Sequence, residues 1–271
     1  MKRMLVAVMV LLVAGAAMAE GPVITTGSKT GSYVKVGHNL KNMLGTGEVI
    51  TSKGSVENLE RLMKGEAQIG LVQMDAFAWY ALKHPEVSTE LEIIGGLYEE
   101  CAYLAVRKEG KVQSEDDLQS VKDATIAVGS KGSGTAVTWD YMLKLEPKYK
   151  NSRVEFTGGS RALSKLIAKQ VDAVMWVTQP NLDGQMAKTV LKNEDLELVG
   201  FNDKDLNDKL PSTGKPVYQF RKIDTQKGFF NDKEITTACV EAVIVARKDT
   251  NEDILESVSD ALLNYKQTLL K

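Results

Sequence analysis

Three short runs place glycine and hydroxyl side chains where a strand gives way to a helix. They are Gly27-Ser28-Lys29-Thr30-Gly31-Ser32-Tyr33, then Ser52-Lys53-Gly54-Ser55 with Asn58 one turn on, and Gly129-Ser130-Lys131-Gly132-Ser133-Gly134-Thr135. The first backbone N–H groups of a helix lack intrahelical partners and carry partial positive charge, so such junctions suit an anion. Glycine lets the backbone approach a ligand closely, and Ser or Thr adds a hydroxyl donor. Taken singly, each run is also an ordinary turn followed by a helix cap. None is a phosphate-binding P-loop, because no Gly-Lys-Ser/Thr follows at the needed spacing, and Gly129-x-x-Gly132-x-Gly134 does not match the dinucleotide fingerprint.

Further candidates follow apolar strands. Gln73 and Asp75 come just after 69–72, and Trp176, Thr178 and Gln179 hold the matching place at the end of 173–177 and just past it. Amides can fix a carboxylate or an amine, and an aromatic can form a wall. Core packing is the competing role for Trp176 and Tyr33, and helix capping for Asp75. Arg161, at a helix start, can pair with a carboxylate, and Tyr218 and Arg221 lie in a lysine-rich stretch, 211–227, read as irregular. His38 and His84 show no metal-ligand spacing, two cysteines are too few for a thiolate site, and no nucleophile motif accompanies either histidine. No metal, cofactor or catalytic set is expected.

The elements that must position these residues alternate. Strands at 22–26, 49–52 and 69–72 interleave with helices at 33–44, 55–64 and 74–82; strands at 92–97 and 102–107 follow. The pattern restarts with strands at 125–128, 153–156 and 173–177 and helices at 135–145 and 160–169. Alternation of this kind implies a mostly parallel sheet covered on both faces. Its repetition implies two α/β lobes, with ligand loops at the carboxyl ends of the strands. Residues 103–107 and 242–247 both end in an apolar-to-basic step and read as paired crossing strands between the lobes. The expected division is lobe one at 20–106 and 247–271, lobe two at 107–246. Crossing strands that run opposite ways put Cys101 and Cys239 at opposite ends of the hinge, which predicts free thiols.

At the N-terminus, Lys2 and Arg3 precede an apolar run and Ala17-Met18-Ala19, the pattern of a secretory signal peptide at 1–19 cleaved after Ala19. No Cys lies near that point to anchor a lipid, and no later segment is apolar enough to span a bilayer. With 43% hydrophobic and 26% charged residues the chain reads as globular, and a formal charge of −2 with no basic block argues against nucleic acid. The location expected is the periplasm.

The runs Thr26-Gly27-Ser28-Lys29-Thr30-Gly31-Ser32-Tyr33, Gly54-Ser55-Val56-Glu57-Asn58-Leu59 with Gly65 to Asp75, and Val128 to Thr135 together resemble the TAXI group of solute-binding proteins, which serve tripartite ATP-independent periplasmic (TRAP) transporters. The chain departs from the commoner pattern at Gln68-Ile69, where an acidic residue usually precedes the strand. The resemblance implies a type II periplasmic binding protein fold that closes like a flytrap. It also implies delivery of a small organic anion, such as a glutamate-like amino acid or a dicarboxylate, to a membrane permease. Carried over by position, it puts Gly27, Ser28, Tyr33, Ser52, Ser55, Asn58, Gln73, Asp75, Ser133, Gly134 and Thr135 near the ligand, beside Trp176 and Gln179. The alternative reading is the substrate-binding protein of an ATP-driven ABC importer. An enzyme on this fold would need a convergent acid/base or nucleophile set, and the sequence offers none.

Overall fold

The computed structural model describes residues 21–29, 31–207, 216–226 and 233–271. The signal-peptide expectation at 1–19, Thr30 of the first loop and positions 211–215 lie outside the described residues. The chain begins β1 (Val23–Thr25), α1 (Ser32–Leu44), β2 (Glu48–Ile50), α2 (Ser55–Met63), β3 (Ile69–Gln73), α3 (Met74–Ala81) and a short α4 (Val87–Glu90). Next come β4 (Leu91–Arg107), α5 (Glu115–Ser120), β5 (Thr125–Ala127), α6 (Gly134–Leu145), β6 (Arg153–Glu155), α7 (Gly159–Ile167) and β7 (Ala173–Thr178). It ends with α8 (Gln185–Lys192), β8 (Leu196–Gly200), β9 (Tyr218–Gln226), β10 (Lys233–Arg247), α9 (Glu252–Asn264) and α10 (Lys266–Leu270).

The strands form one sheet in the order β2-β1-β3-β10-β4-β7-β5-β6, with β8 added on β4 and β9 on β10. At each end a three-stranded parallel set has the first of its strands in the middle, β2-β1-β3 and β6-β5-β7. The repetition read from the sequence is therefore present in the sheet. Apolar faces on both sides are buried, as parallel strands require. At one end α1, α9 and α10 cover one face and α2 and α3 the other. At the opposite end α6 covers one face and α7 with α8 the other.

Between the two sets run β4 and β10, antiparallel and paired from Leu91↔Arg247 to Cys101↔Cys239. The sequence reading split β4 into two strands, 92–97 and 102–107. The backbone instead continues from Leu91 to Arg107, and its irregularity lies inside the first of those strands, around Gly95-Gly96, where the register shifts between Ala242 and Val243 and between Ile244 and Val245 of β10. Glycine inside a strand marks such bulges as readily as a break. The continuity changes which segments meet. Residues 103–107 pair with β7 and β8 rather than with 242–247, which face β3 and the start of β4.

This register corrects the expectation of free thiols. Cys101 and Cys239 lie directly opposite each other at the point where the two strands pass from one set to the other, and they form a disulfide. Stretch 211–227 is also more ordered than expected, because its described part carries β9, paired along β10. The disulfide closes a sequence separation of 138 residues, so replacing both cysteines by serine should lower unfolding stability by about 2–5 kcal/mol. Denaturant titration of the C101S/C239S double variant against the oxidised protein checks this, and intact mass should read two hydrogens below the dithiol value.

Candidate functional site

The three Gly/Ser junctions converge. A cleft of about 680 Å³ opens among them, lined by Gly27, Ser28, Gly31, Ser32 and Tyr33 from the first, Ser52, Lys53, Gly54 and Ser55 from the second, and Ser130, Lys131, Ser133, Gly134 and Thr135 from the third. Gln73 at the end of β3, Glu100 on β4 and Val177 on β7 complete the wall. The helices α1, α2 and α6 begin at this space. Their first amides point partial positive charge at it, as is usual for helix N-termini.

The loops are shaped by local bonds. The Ser133 side chain caps α6 by accepting from Ala136 N at 3.3 Å. Ser52 Oγ accepts from Gly54 N at 3.0 Å, Ser55 Oγ accepts from Gln73 N at 3.1 Å, and Thr135 Oγ1 accepts from Val177 N at 3.3 Å. Gly54 has φ +138°, a conformation that side-chain-bearing residues rarely adopt. A Cβ added there would sit 3.4 Å from Gly134 N, and one added at Gly134 would lie 1.9 Å from Gln73 Oε1. The two ends of the sheet thus touch backbone to backbone beside the cleft.

Nine of the residues expected near a ligand line this space: Gly27, Ser28, Tyr33, Ser52, Ser55, Gln73, Ser133, Gly134 and Thr135. Four do not. Trp176 points to the opposite face of β7, where it packs on Tyr103 with ring centroids 5.7 Å apart; its neighbour Val177 faces the cleft, as side-chain alternation along a strand demands. Asn58 is wholly buried and is consumed by backbone, donating to Leu71 O at 2.7 Å and to Thr26 O while accepting from Thr25 Oγ1 at 2.7 Å. Gln179 lies past the end of β7, outside the lining. Arg161 is exposed at the start of α7 and lies outside the cleft, as does Arg221, which bonds Glu99 at 2.6 Å on the other face of the hinge.

Asp75 is the fourth. It is fully buried behind Gln73, where it accepts from Thr138 Oγ1 at 2.6 Å, Tyr218 Oη at 2.8 Å and Ala76 N at 2.7 Å. Its partners come from α6 and β9, so the carboxyl bridges the two ends of the sheet. Burial raises its pKa, and the three donated bonds oppose that shift.

The residue missed in the sequence is Glu100. The clue was Glu99-Glu100, two charges inside an otherwise apolar run. Alternation sends Glu99 to the back of the hinge and Glu100 into the cleft, where Tyr33 Oη donates to its carboxylate at 3.1 Å. Burial pushes the Glu100 carboxyl up to about 7, against the lowering effect of the Tyr33 bond, and the charge of Asp75 adds to the rise.

A family model described as NMT1-like family matches residues 24–270. The chain belongs to the NMT1-like family. Solved structures show which fold this NMT1-like chain has. The amino acid ABC transporter substrate-binding protein AbpA of Streptococcus pneumoniae, bound to L-arginine, aligns over 91% of this chain and 90% of its own, with TM-score 0.52 and 18% identity. The GluR0 ligand-binding core of Nostoc punctiforme, in complex with L-glutamate, aligns over 92% and 97%, with TM-score 0.54 and 15% identity. XAC2383 of Xanthomonas citri, bound to ATP, aligns over 89% and 82%, with TM-score 0.56 and 14% identity. The expected type II periplasmic binding protein fold is the fold of this NMT1-like protein. Three different ligands on one scaffold also mean that fold alone does not choose the ligand.

The bridge at Asp75 can be tested for stability. Asp75→Ala orphans the Thr138 and Tyr218 hydroxyls and should cost about 1–3 kcal/mol in urea unfolding, with Asp75→Asn costing less. A carboxyl whose folded pKa is raised binds its proton more tightly when folded, so it loses stability as pH rises from the unfolded value through the folded one. D75N should therefore gain on the wild type as pH rises above the ordinary carboxyl range.

Proposed function

We propose that this protein is a non-catalytic solute-binding receptor that captures a small organic anion in the cleft and hands it to a membrane permease. The observation that carries this reading is the meeting of three helix N-termini, drawn from both ends of the sheet, on one cavity of about 680 Å³. That volume suits a small molecule. The lining supplies amides, hydroxyls and two lysines, donors that hold an anion in place.

In this reading the two ends of the sheet act as lobes divided near 106 and 246, and the unbroken run of β4 and β10 past the Cys101–Cys239 pair supports a hinge there. Closure brings Gly54 against Gly134 and Asp75 under Thr138 and Tyr218. A ligand favours the closed form only to the extent that it binds that form better. The TAXI-like loops argue for a TRAP permease, and the signal-peptide pattern for a periplasmic location. Among the described residues no helix is long and apolar enough to cross a membrane.

The test is a thermal-shift screen of protein refolded under oxidising conditions against amino acids, dicarboxylates, keto acids, sugars and phosphate compounds. A ligand at 100 times its Kd stabilises by about 2.7 kcal/mol, a shift of a few degrees. A shift with an amino acid or dicarboxylate, and recovery of the compound unchanged, supports the receptor; a compound consumed on incubation points to an enzyme, and silence from every organic anion removes the proposal. Uptake in vesicles carrying the partner permease distinguishes the transporters, since an ion gradient without ATP drives a TRAP system and ATP drives an ABC importer. Gly134→Ala, which pushes a methyl into the Gln73 amide, should weaken the ligand by about tenfold or more, read by calorimetry.

A further inference from the structure

Within the receptor reading, one lining residue does not fit an anion. Of the residues that surround the cleft, Glu100 alone brings a carboxylate, into a space otherwise lined by amides, hydroxyls and the lysines Lys53 and Lys131. It is not there by accident of a flexible surface chain. β4 fixes its backbone between Cys101, covalently tied to β10, and Tyr98, and its pairing with Val240 is one position from the disulfide. Tyr33, buried at the start of α1, donates to one carboxylate oxygen, Oε2, at 3.1 Å. Among the described residues no ion pair involves Glu100, whereas its neighbour Glu99 pairs with Arg221 on the opposite face.

A half-buried carboxylate that faces a cleft without a cation is a place for one. We infer that Glu100, oriented by Tyr33, is the ammonium-receiving and specificity-determining group of the cleft. The ligand it selects is a zwitterion, carrying a primary amine near its carboxylate, over the dicarboxylate or keto acid of the same shape. The amine meets Glu100 at the hinge while the carboxylate meets the N-termini of α1, α2 and α6. A ligand lacking the amine leaves Glu100 either ionised beside an anion or obliged to hold a proton. The inference rests on the receptor reading but goes beyond it, because that reading holds equally for an anion without an amine.

The pH dependence follows with opposite signs for the two ligand types. The groups facing Glu100 are Tyr33 from α1, Tyr98 on β4, Asp75 behind Gln73, and Lys53 and Lys131 across the cleft; no histidine is among the lining residues. With the carboxyl raised to about 7 by burial, binding of an ammonium must first expel the proton. Affinity for an amino acid then climbs with pH, approaching tenfold per unit below about pH 7, and levels off above it. Affinity for the matching dicarboxylate falls over the same range, because ionised Glu100 repels it.

The experiment is calorimetric titration of refolded, oxidised protein with the twenty protein L-amino acids and, for each that binds, with the same acid lacking its α-amino group, such as glutarate for L-glutamate. The expected result is an amino acid preferred over its des-amino partner by about 100-fold at pH 8, with Kd falling between pH 5.5 and 7.5. Glu100→Gln should weaken the amino acid by about 30-fold or more, flatten the pH profile and leave the des-amino acid unchanged or tighter. Tyr33→Phe, which removes the bond that lowers the Glu100 carboxyl but keeps the carboxylate, should move the pH profile to higher pH while weakening binding more mildly. If E100Q retains full amino acid affinity, or wild-type affinity falls as pH rises, the Glu100 assignment fails while the receptor stands. Dicarboxylates that bind where no amino acid does have the same meaning. If nothing in either series binds, the receptor reading fails with it. The wild-type pH profile alone decides the point should E100Q not fold.

Discussion

Pairing of β4 with β10 is the constraint on which the molecule depends. Seventeen residues of one and fifteen of the other run antiparallel through the middle of the sheet, β10 joined to the first parallel set through β3 and β4 to the second through β7. The junction loops on either side come together because these strands hold the sets in one continuous sheet with the carboxyl ends of β1, β3 and β5 facing a common space. The same pairing chooses which carboxylate faces that space. Side chains alternate along β4, so Glu99 meets Arg221 behind the hinge and Glu100 meets Tyr33 in front of it.

The cleft and the contact behind it solve one electrostatic problem in two ways. The cleft presents donors whose own partners are mostly backbone, so an arriving anion is met without first breaking ion pairs. Behind Gln73 the arrangement is reversed. Asp75 is dry, receives three donated bonds and draws donors from both ends of the sheet. A charge in so apolar a place is costly unless every bond is made. The bridge is therefore sensitive to how closely α6 and β9 approach, and small openings there are paid for at once in lost bonds.

What could be read from the sequence was what is decided locally. Gly27-Ser28, Gly54-Ser55 and Gly129 to Thr135 announced themselves because turn and cap chemistry is written within a few residues. The repeated order of strands and helices gave the class of fold for the same reason. Facts set by partners distant in sequence were not legible. Trp176 and Val177 are equally apolar, and only the register of β7 against β4 decides that the valine sees the cleft and the tryptophan the core. Asn58 and Asp75 have the right chemistry for a ligand, but Thr25, Leu71, Thr138 and Tyr218 had already taken it up. Residues 98–101, between the strands read at 92–97 and 102–107, looked like a break and proved to be continuous strand, and that gap hid both the length of β4 and the register that sets Cys101 opposite Cys239. Strand β9, with Gln219, Arg221, Lys222 and Asp224 among its nine residues, lacked the apolar signal of a strand because only part of it is covered.

The disulfide has a consequence apart from holding the chain together. In a bulged, glycine-containing strand the register is weakly specified, and a slip of one residue turns every side chain to the other face. Such a slip in β4 would exchange Glu100 for a neighbour and aim a different group at the cleft. Cys101, the next residue, is covalently addressed to a single position on β10. The bond works as a punctuation mark for the strand: it fixes the frame in which the residues on either side are read, and thereby which of two adjacent glutamates faces the cleft. Variation in the length of this strand is tolerable on the far side of the bulges, toward Leu91, and not between the bulges and the cysteine.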